Sequence, residues 1–346
     1  MENPPFFIIG APRSGTTLLS VLLANHPEVY IDGDSVGLSL AENIERYKVR
    51  LSLDLSRPRK EVLQEVIEGS YKNRLARIFD VNQLDQFPDV RSYAAHSIKQ
   101  FAAKHGKKVW GDKTPELIFK VPELLQWFPD ARFIHVVRDG HANSVSLHKR
   151  QYMDLRLATQ YWKDCNAYGL ALEHILGNAQ YLLVKYEDVL SQPAQTLEAV
   201  CQFLGMPYEA SMLALDQSAD TSSANSYVGK QLDASKVHQW KKQLNKQQIQ
   251  TVELIAGDLL HHFGYEHETM PDPKEAQSLS YGKRYWIRQG DMWKLMFRAE
   301  RVQMIDRKLN KVRLPIKRRI KNFFQGTIRH TFSHHVIRIF KPDAKQ

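Results

Sequence analysis

Cysteine is nearly missing: Cys165 and Cys201 are the only two in 346 residues. Two thiols so far apart exclude a disulfide framework and a thiolate metal cage. Both are expected to be buried thiols of a reducing compartment. Long apolar runs are missing too. No stretch offers the ~18 uninterrupted apolar residues of a membrane span. Near the amino terminus, residues 6–9 are apolar but too few for a leader's core, and no basic run precedes them. A cytoplasmic chain without cleavage is therefore expected. No repeat recurs at a fixed period. His330, His334 and His335 have no cysteine or carboxylate close by, so no metal site is expected there.

What remains is ordinary globular composition, 43% hydrophobic and 25% charged. The net charge of +10 is unevenly spread. Residues 281–346 hold 18 Lys and Arg against 4 Asp and Glu, so this stretch carries +14 and the remainder carries −4. Short apolar runs at 6–9, 29–31, 108–110, 132–137 and 181–184 alternate with longer segments of helical period near 15–25, 36–50, 59–79, 91–105, 116–127, 140–150, 156–177, 193–204 and 245–262. Strands separated by helices predict an α/β fold in three layers, a parallel sheet with helices on both faces. The proline-marked stretch 270–274 suggests a boundary, giving a catalytic domain over 5–270 and a basic helical tail over 271–346. In the tail, Ile305, Leu309, Val312, Ile316, Ile320 and Phe323 form a stripe at helical period among lysines and arginines. The stripe suits docking on the catalytic domain, and the cations suit an anionic membrane surface or another polyanion, which adds a peripheral location to the expectation. No base-reading module is visible, so no specific nucleic-acid partner is expected.

Chemistry concentrates in two places. The first is Gly10-Ala11-Pro12-Arg13-Ser14-Gly15-Thr16-Thr17, between the first strand and the first helix. Glycines allow close backbone approach, amides point inward, and the helix start adds positive potential. The spacing fits G-x-x-x-x-G-K-[ST] except that Thr16 stands at the lysine position, while Arg13 supplies a cation inside the loop. A phosphoryl-transfer enzyme uses that lysine and a metal. A sulfuryl group carries less charge, so an arginine and two hydroxyls suffice. The second place is Arg138-Asp139-Gly140 at the end of 132–137. Arg138 and Ser146, two turns into the next helix, are placed to face one phosphate, the arginine as a fork and the serine as a neutral donor.

The loop resembles the 5′-phosphosulfate loop of the sulfotransferases that use 3′-phosphoadenosine 5′-phosphosulfate (PAPS), in the arginine-bearing form of the bacterial, tyrosylprotein and carbohydrate branches. That resemblance implies PAPS as co-substrate, no metal, and a P-loop-type fold. It implies that Arg13, Ser14, Gly15, Thr16 and Thr17 hold the activated end of the donor. It also implies that Arg138, Ser146 and Arg150 hold the 3′-phosphate and that Tyr186 meets the adenine. Trp240-Lys241-Lys242 looks like the segment that closes over the donor. In-line transfer needs a base for the acceptor hydroxyl and cations for the developing charge. Aligned with the tyrosylprotein branch, Asp34 takes the place of the catalytic carboxylate, with Asp32 as the alternative and helix capping as the competing role. Lys113, after Val109-Trp110, resembles the lysine that neutralises transition-state charge, and Arg13 assists it. The implied acceptor is a carbohydrate, a glycolipid or a small molecule, with protein tyrosine as the alternative. Two other classes compete: a P-loop kinase or NTPase, and a non-catalytic membrane or polyanion binder.

Overall fold

A computed structural model of the chain describes residues 3–32, 47–52, 56, 58–69, 75–151, 153–214, 232–233, 237–269 and 279–287. Asp34, the 270–274 boundary, the tail's apolar stripe and the three late histidines lie outside them.

All five expected strands are present: β1 (Phe6–Gly10), β2 (Val29–Asp32), β3 (Val109–Lys113), β4 (Arg132–Val137) and β5 (Tyr181–Lys185). They form one sheet in the order β2-β3-β1-β4-β5, and every pairing is parallel. Strands covered on both faces read as continuous apolar runs, which is why these short segments were legible. Alternation then splits each strand between two cores. Phe6 and Ile8 face one side with Ile134 and Val136, against Leu18, Leu19 and Leu22 of α1 (Thr16–Ala24). Phe7 and Ile9 face the other side with Phe133 and Val137, against Tyr93, Ile98, Trp162 and Leu260. Each such side chain contributes about 1.5–3 kcal/mol on burial.

The second face is covered by α2 (Arg59–Glu68), α3 (Val90–Lys104), α4 (Val121–Trp127), α5 (Gly140–Gln151), α6 (Leu155–Gln180) and α9 (Lys246–His262). The short α7 (Tyr186–Ser191) and α8 (Pro193–Leu204) join α1 on the first. Three helical spans differ from those expected by more than two residues or in type. The helix read over 59–79 stops at Glu68, where Gly69 follows. The helix read over 116–127 is a 3₁₀ segment, Pro115–Lys120, followed by α4 with Pro122 in its first turn, because a proline has no amide to continue the preceding ladder. The helical segment that begins at Leu155 is kinked at Gly177, whose φ 62° and ψ −178° are not helical, and ends at Gln180. Both cysteines are buried and free.

The described residues contain no helix long and apolar enough to cross a membrane. The chain divides into two compact units, residues 1–288 and 289–346. Within the first, the short helix over 281–287 is tied to α6: Arg284 reaches Asp164 at 2.7 Å, and the Leu279 amide donates to the Gln160 side-chain carbonyl at 2.6 Å.

Candidate active site

β1 ends in a turn that tolerates little but glycine at two points. Gly10 has φ +145° and a Cβ there would lie 2.5 Å from the Val136 carbonyl. Gly15 has φ +94° and caps α1. Between them Arg13 is the one described non-glycine residue with positive φ, at 73°, a conformation that costs energy and collects at functional turns. The first intrahelical bond runs from the Leu19 amide to the Gly15 carbonyl. No side chain caps α1, and its first turn carries no acidic residue. The amides and positive end of the helix are thus left to an anion.

Arg138 leaves the end of β4, one strand over. Its guanidinium donates to the Arg13 carbonyl at 3.2 Å and lies 4.5 Å above the Tyr186 ring. Its own carbonyl accepts from the Trp162 indole at 2.9 Å. Arg13 in turn donates through Nε to the Ser146 hydroxyl at 3.3 Å. Arg13, Arg138 and Ser146 therefore form one contiguous cluster beside the start of α1. Arg150 lies one helical turn beyond Ser146 and is exposed. Thr16 is buried and Thr17 half-buried in the first turn of α1. Ser14 is turned inward: its amide donates to the Ala11 carbonyl and its hydroxyl accepts from Asn143.

Tyr186 packs its ring against Gly15, so close that a Cβ there would lie 2.1 Å from the ring. Burial raises the Tyr186 phenol, with Arg138 and Arg13 opposing, so the group is neutral. The carboxyl edge of the sheet, followed in strand order, presents Asp32, Lys113, the 11–15 loop, Arg138 and Tyr186. Lys113 is half-buried at the end of β3, in register with Ile8. Asp32 is buried at the end of β2, in register with Asp112. In open α/β sheets this edge is where ligands bind.

Other residues shape the site with no signal in the local sequence. Asn143 donates to the Pro12 carbonyl and the Ser14 hydroxyl, both at 3.0 Å, and so laces α5 to the loop. Glu187 accepts from the Asp139 amide and from the Tyr265 hydroxyl, each at 3.0 Å, and burial raises its pKa. The Trp240 ring is buried against His141. Each partner is more than forty residues away in sequence, so only the folded chain reveals it.

Comparison with known proteins bears on what such an edge holds. The family model described as the sulfotransferase family matches residues 4–210. The chain is 27% identical over 221 residues to protein-tyrosine sulfotransferase 2 of Gallus gallus, covering 61% of this chain and 54% of that protein. It thus spans about half the length of that relative. It is 23% identical over 319 residues to the omega-hydroxy-beta-dihydromenaquinone-9 sulfotransferase Stf3 of Mycobacterium tuberculosis, covering 79% of this chain and 78% of that one. Among solved structures, the sulfotransferase domain from the Synechococcus PCC 7002 olefin synthase superposes with a TM-score of 0.53 at 24% identity, over 77% of this chain and 97% of that one. This last likeness shows the fold.

Proposed function

The chain belongs to the sulfotransferase family, and from that premise we propose that it transfers a sulfuryl group from PAPS to an acceptor hydroxyl by in-line displacement. The observation that carries the proposal is the contact of Arg13 with both Ser146 and Arg138 beside an uncapped helix start. One nucleotide bearing two anionic groups matches two arginines, a serine and free helix amides in one cluster. Thr16 in place of a Walker lysine fits a donor that needs no metal to neutralise it.

In the reaction the acceptor oxygen attacks sulfur, and the bond from sulfur to the bridging phosphate oxygen breaks. The acceptor proton passes to a carboxylate, for which Asp34 is proposed and Asp32 is the alternative. Adenosine 3′,5′-bisphosphate leaves. Arg13 and Lys113 offset charge that builds on the sulfuryl and bridging oxygens. Gly15, Thr16 and Thr17 offer backbone and hydroxyl donors to the 5′ end. Arg138, Ser146 and Arg150 hold the 3′-phosphate, and Tyr186 borders the base.

A carbohydrate, glycolipid or small-molecule hydroxyl is the proposed acceptor class, met at the cytoplasmic face of an anionic membrane. Support comes from the +14 charge of residues 281–346 and from exposed aromatics at Tyr281, Tyr285 and Trp286, the last 74% exposed. Tyrosine and tryptophan beside cations favour the headgroup region of a bilayer. The Stf3 likeness, which covers most of both chains, adds support. Protein tyrosine is the second reading, favoured by the Gallus gallus relative and by Lys113.

The test is transfer of radiolabelled sulfuryl from PAPS to fractionated cell extract. Label in the lipid or small-molecule fraction is expected. Label confined to protein moves the acceptor to tyrosine, and no transfer with intact PAPS binding leaves a non-catalytic binder. Sedimentation with vesicles checks the location: equal binding to neutral and anionic vesicles removes its electrostatic basis.

A further inference from the structure

His141 is fully buried, three residues past Arg138. Its Nδ1 lies 3.1 Å from Asp139 Oδ1, and its Nε2 lies 3.4 Å from Glu253 Oε1. Neutral imidazole carries one N–H, so only the imidazolium presents a proton to both carboxylates. The ring is stacked on Trp240, with centroids 4.1 Å apart and planes at 9°. Asp139 also accepts from the amides of His141 and Ala142, at 2.7 and 3.3 Å, and so sets the turn that aims Arg138. Glu253, on α9, accepts from the amides of Glu268 and Thr269 at 2.6 and 2.8 Å, and from the Thr269 hydroxyl. Trp240 belongs to the 3₁₀ turn Gln239–Lys242. That turn is pinned further by Lys241 on Glu266 and Glu268, both at 2.9 Å. Just past it, Lys149 donates to the Gln243 side chain at 2.8 Å, next to Arg150.

We infer that His141 is a positioning residue for the nucleotide: held between Asp139 and Glu253 and stacked on Trp240, its imidazolium joins the Arg138 turn to the 240–242 segment and offsets the negative charge behind the proposed phosphate cluster. The inference rests on the donor-binding reading above and deepens it. An apolar residue of similar volume would fill the space as well, so packing alone does not account for a charge between two buried carboxylates. Without the cation, Asp139 and Glu253 leave two negative groups behind a site that must accept phosphate.

The groups facing His141 are Asp139 just before its own helix, Glu253 from α9, and Trp240 from the 3₁₀ turn. His267 follows α9, and Glu187 lies on the far side of Asp139. Burial disfavours the imidazolium, but the Asp139 and Glu253 carboxylates that accept its protons win and raise its pKa above the ordinary 6.5. Burial likewise opposes ionisation of Glu253, yet its bonds to His141 and the 268–269 backbone hold it down at about 2. As pH rises through the His141 pKa, the cation between the two carboxylates is lost.

The experiment is calorimetric binding of adenosine 3′,5′-bisphosphate to the full chain between pH 6 and pH 9. Wild type, His141→Asn and Glu253→Gln are compared. Phosphate ionisation near pH 6 is common to all three and cancels in the comparison. Wild type is expected to lose affinity about tenfold across the His141 titration, within the usual span of coupled sites. Glu253→Gln is expected to move that loss to lower pH. His141→Asn is expected to bind weakly throughout and show no such step, with turnover at saturating donor within about twofold of wild type. Superimposable pH profiles for wild type and Glu253→Gln overturn the inference even if His141→Asn fails to fold. Wild type that binds no bisphosphate at any pH overturns the donor-binding reading as well.

Discussion

Replacing Gly15 by alanine would put a methyl group where the Tyr186 ring sits. The added Cβ would lie 2.1, 2.7 and 3.0 Å from three ring carbons, on a backbone with φ +94°. The left-handed conformation costs about 1–2 kcal/mol for a residue with a Cβ. Forcing the ring aside costs about 1–3 kcal/mol more by analogy with overpacked cores. The total is about 2–5 kcal/mol of stability. Tyr186→Ala removes the obstacle, so Gly15→Ala on that background should cost only the conformational part, about 1–2 kcal/mol. Chemical denaturation of wild type, both single variants and the double variant isolates the coupling, expected at about 1–3 kcal/mol. Ring displacement also disturbs the Arg138 guanidinium stacked on it, so Gly15→Ala should bind adenosine 3′,5′-bisphosphate at least about tenfold more weakly. Equal cost of Gly15→Ala on the two backgrounds, or unchanged nucleotide affinity, would refute the reasoning.

Three further outcomes are expected. Arg13→Ala and Lys113→Ala should each cut turnover by about 10²–10³ while circular dichroism reports an intact fold, as for loss of a preorganised charge-stabilising group; near-normal turnover for either removes it from the mechanism. Asn143→Ala strips the Pro12 carbonyl and Ser14 hydroxyl of a donor, at a cost of about 1–3 kcal/mol. A melting curve and a raised KM for the donor would report it. His135 is buried at the centre of β4, shares a hydrogen bond with the Tyr181 hydroxyl, and is pushed by burial down to about 4. Its pKa is lower in the folded chain than the ordinary 6.5 of the unfolded one, so its contribution to stability is complete above 6.5. It is lost as pH falls towards 4, by an amount of order 3 kcal/mol. His135→Gln should flatten the pH dependence of unfolding between pH 4 and 6.5, measured against wild type, and an unchanged slope would show that this proton is not linked to folding.

Much of the frame was legible because local physics and tertiary structure agree. Phe6-Phe7-Ile8-Ile9 and Phe133 to Val137 are apolar on both faces, as a central parallel strand requires. Gly10 and Gly15 stand where the turn demands positive φ. Strand ends were less clear: β3 continues through Gly111 and Asp112 to Lys113, polar residues at the carboxyl edge that carry no strand signal. Of the site, Arg13, Arg138 and Ser146 were marked by spacing and meet in space. The lacing by Asn143, the Glu187 bond to the Asp139 turn and the Asp139–His141–Glu253 arrangement were not marked. Each depends on a contact set by the packing of α5, α9 and the segment after β5, and no periodicity or propensity within one element encodes it.

The central claim is that one cluster grips a nucleotide by its 3′-phosphate as well as its 5′ end. The most direct measurement is calorimetric binding of adenosine 3′,5′-bisphosphate and of adenosine 5′-monophosphate to wild type and to Arg138→Ala. Wild type should prefer the bisphosphate by about tenfold or more, as a charge-assisted contact to the extra phosphate implies, and Arg138→Ala should bind both about equally. An undiminished preference in Arg138→Ala, or tighter binding of ATP with magnesium than of the bisphosphate by wild type, would contradict it.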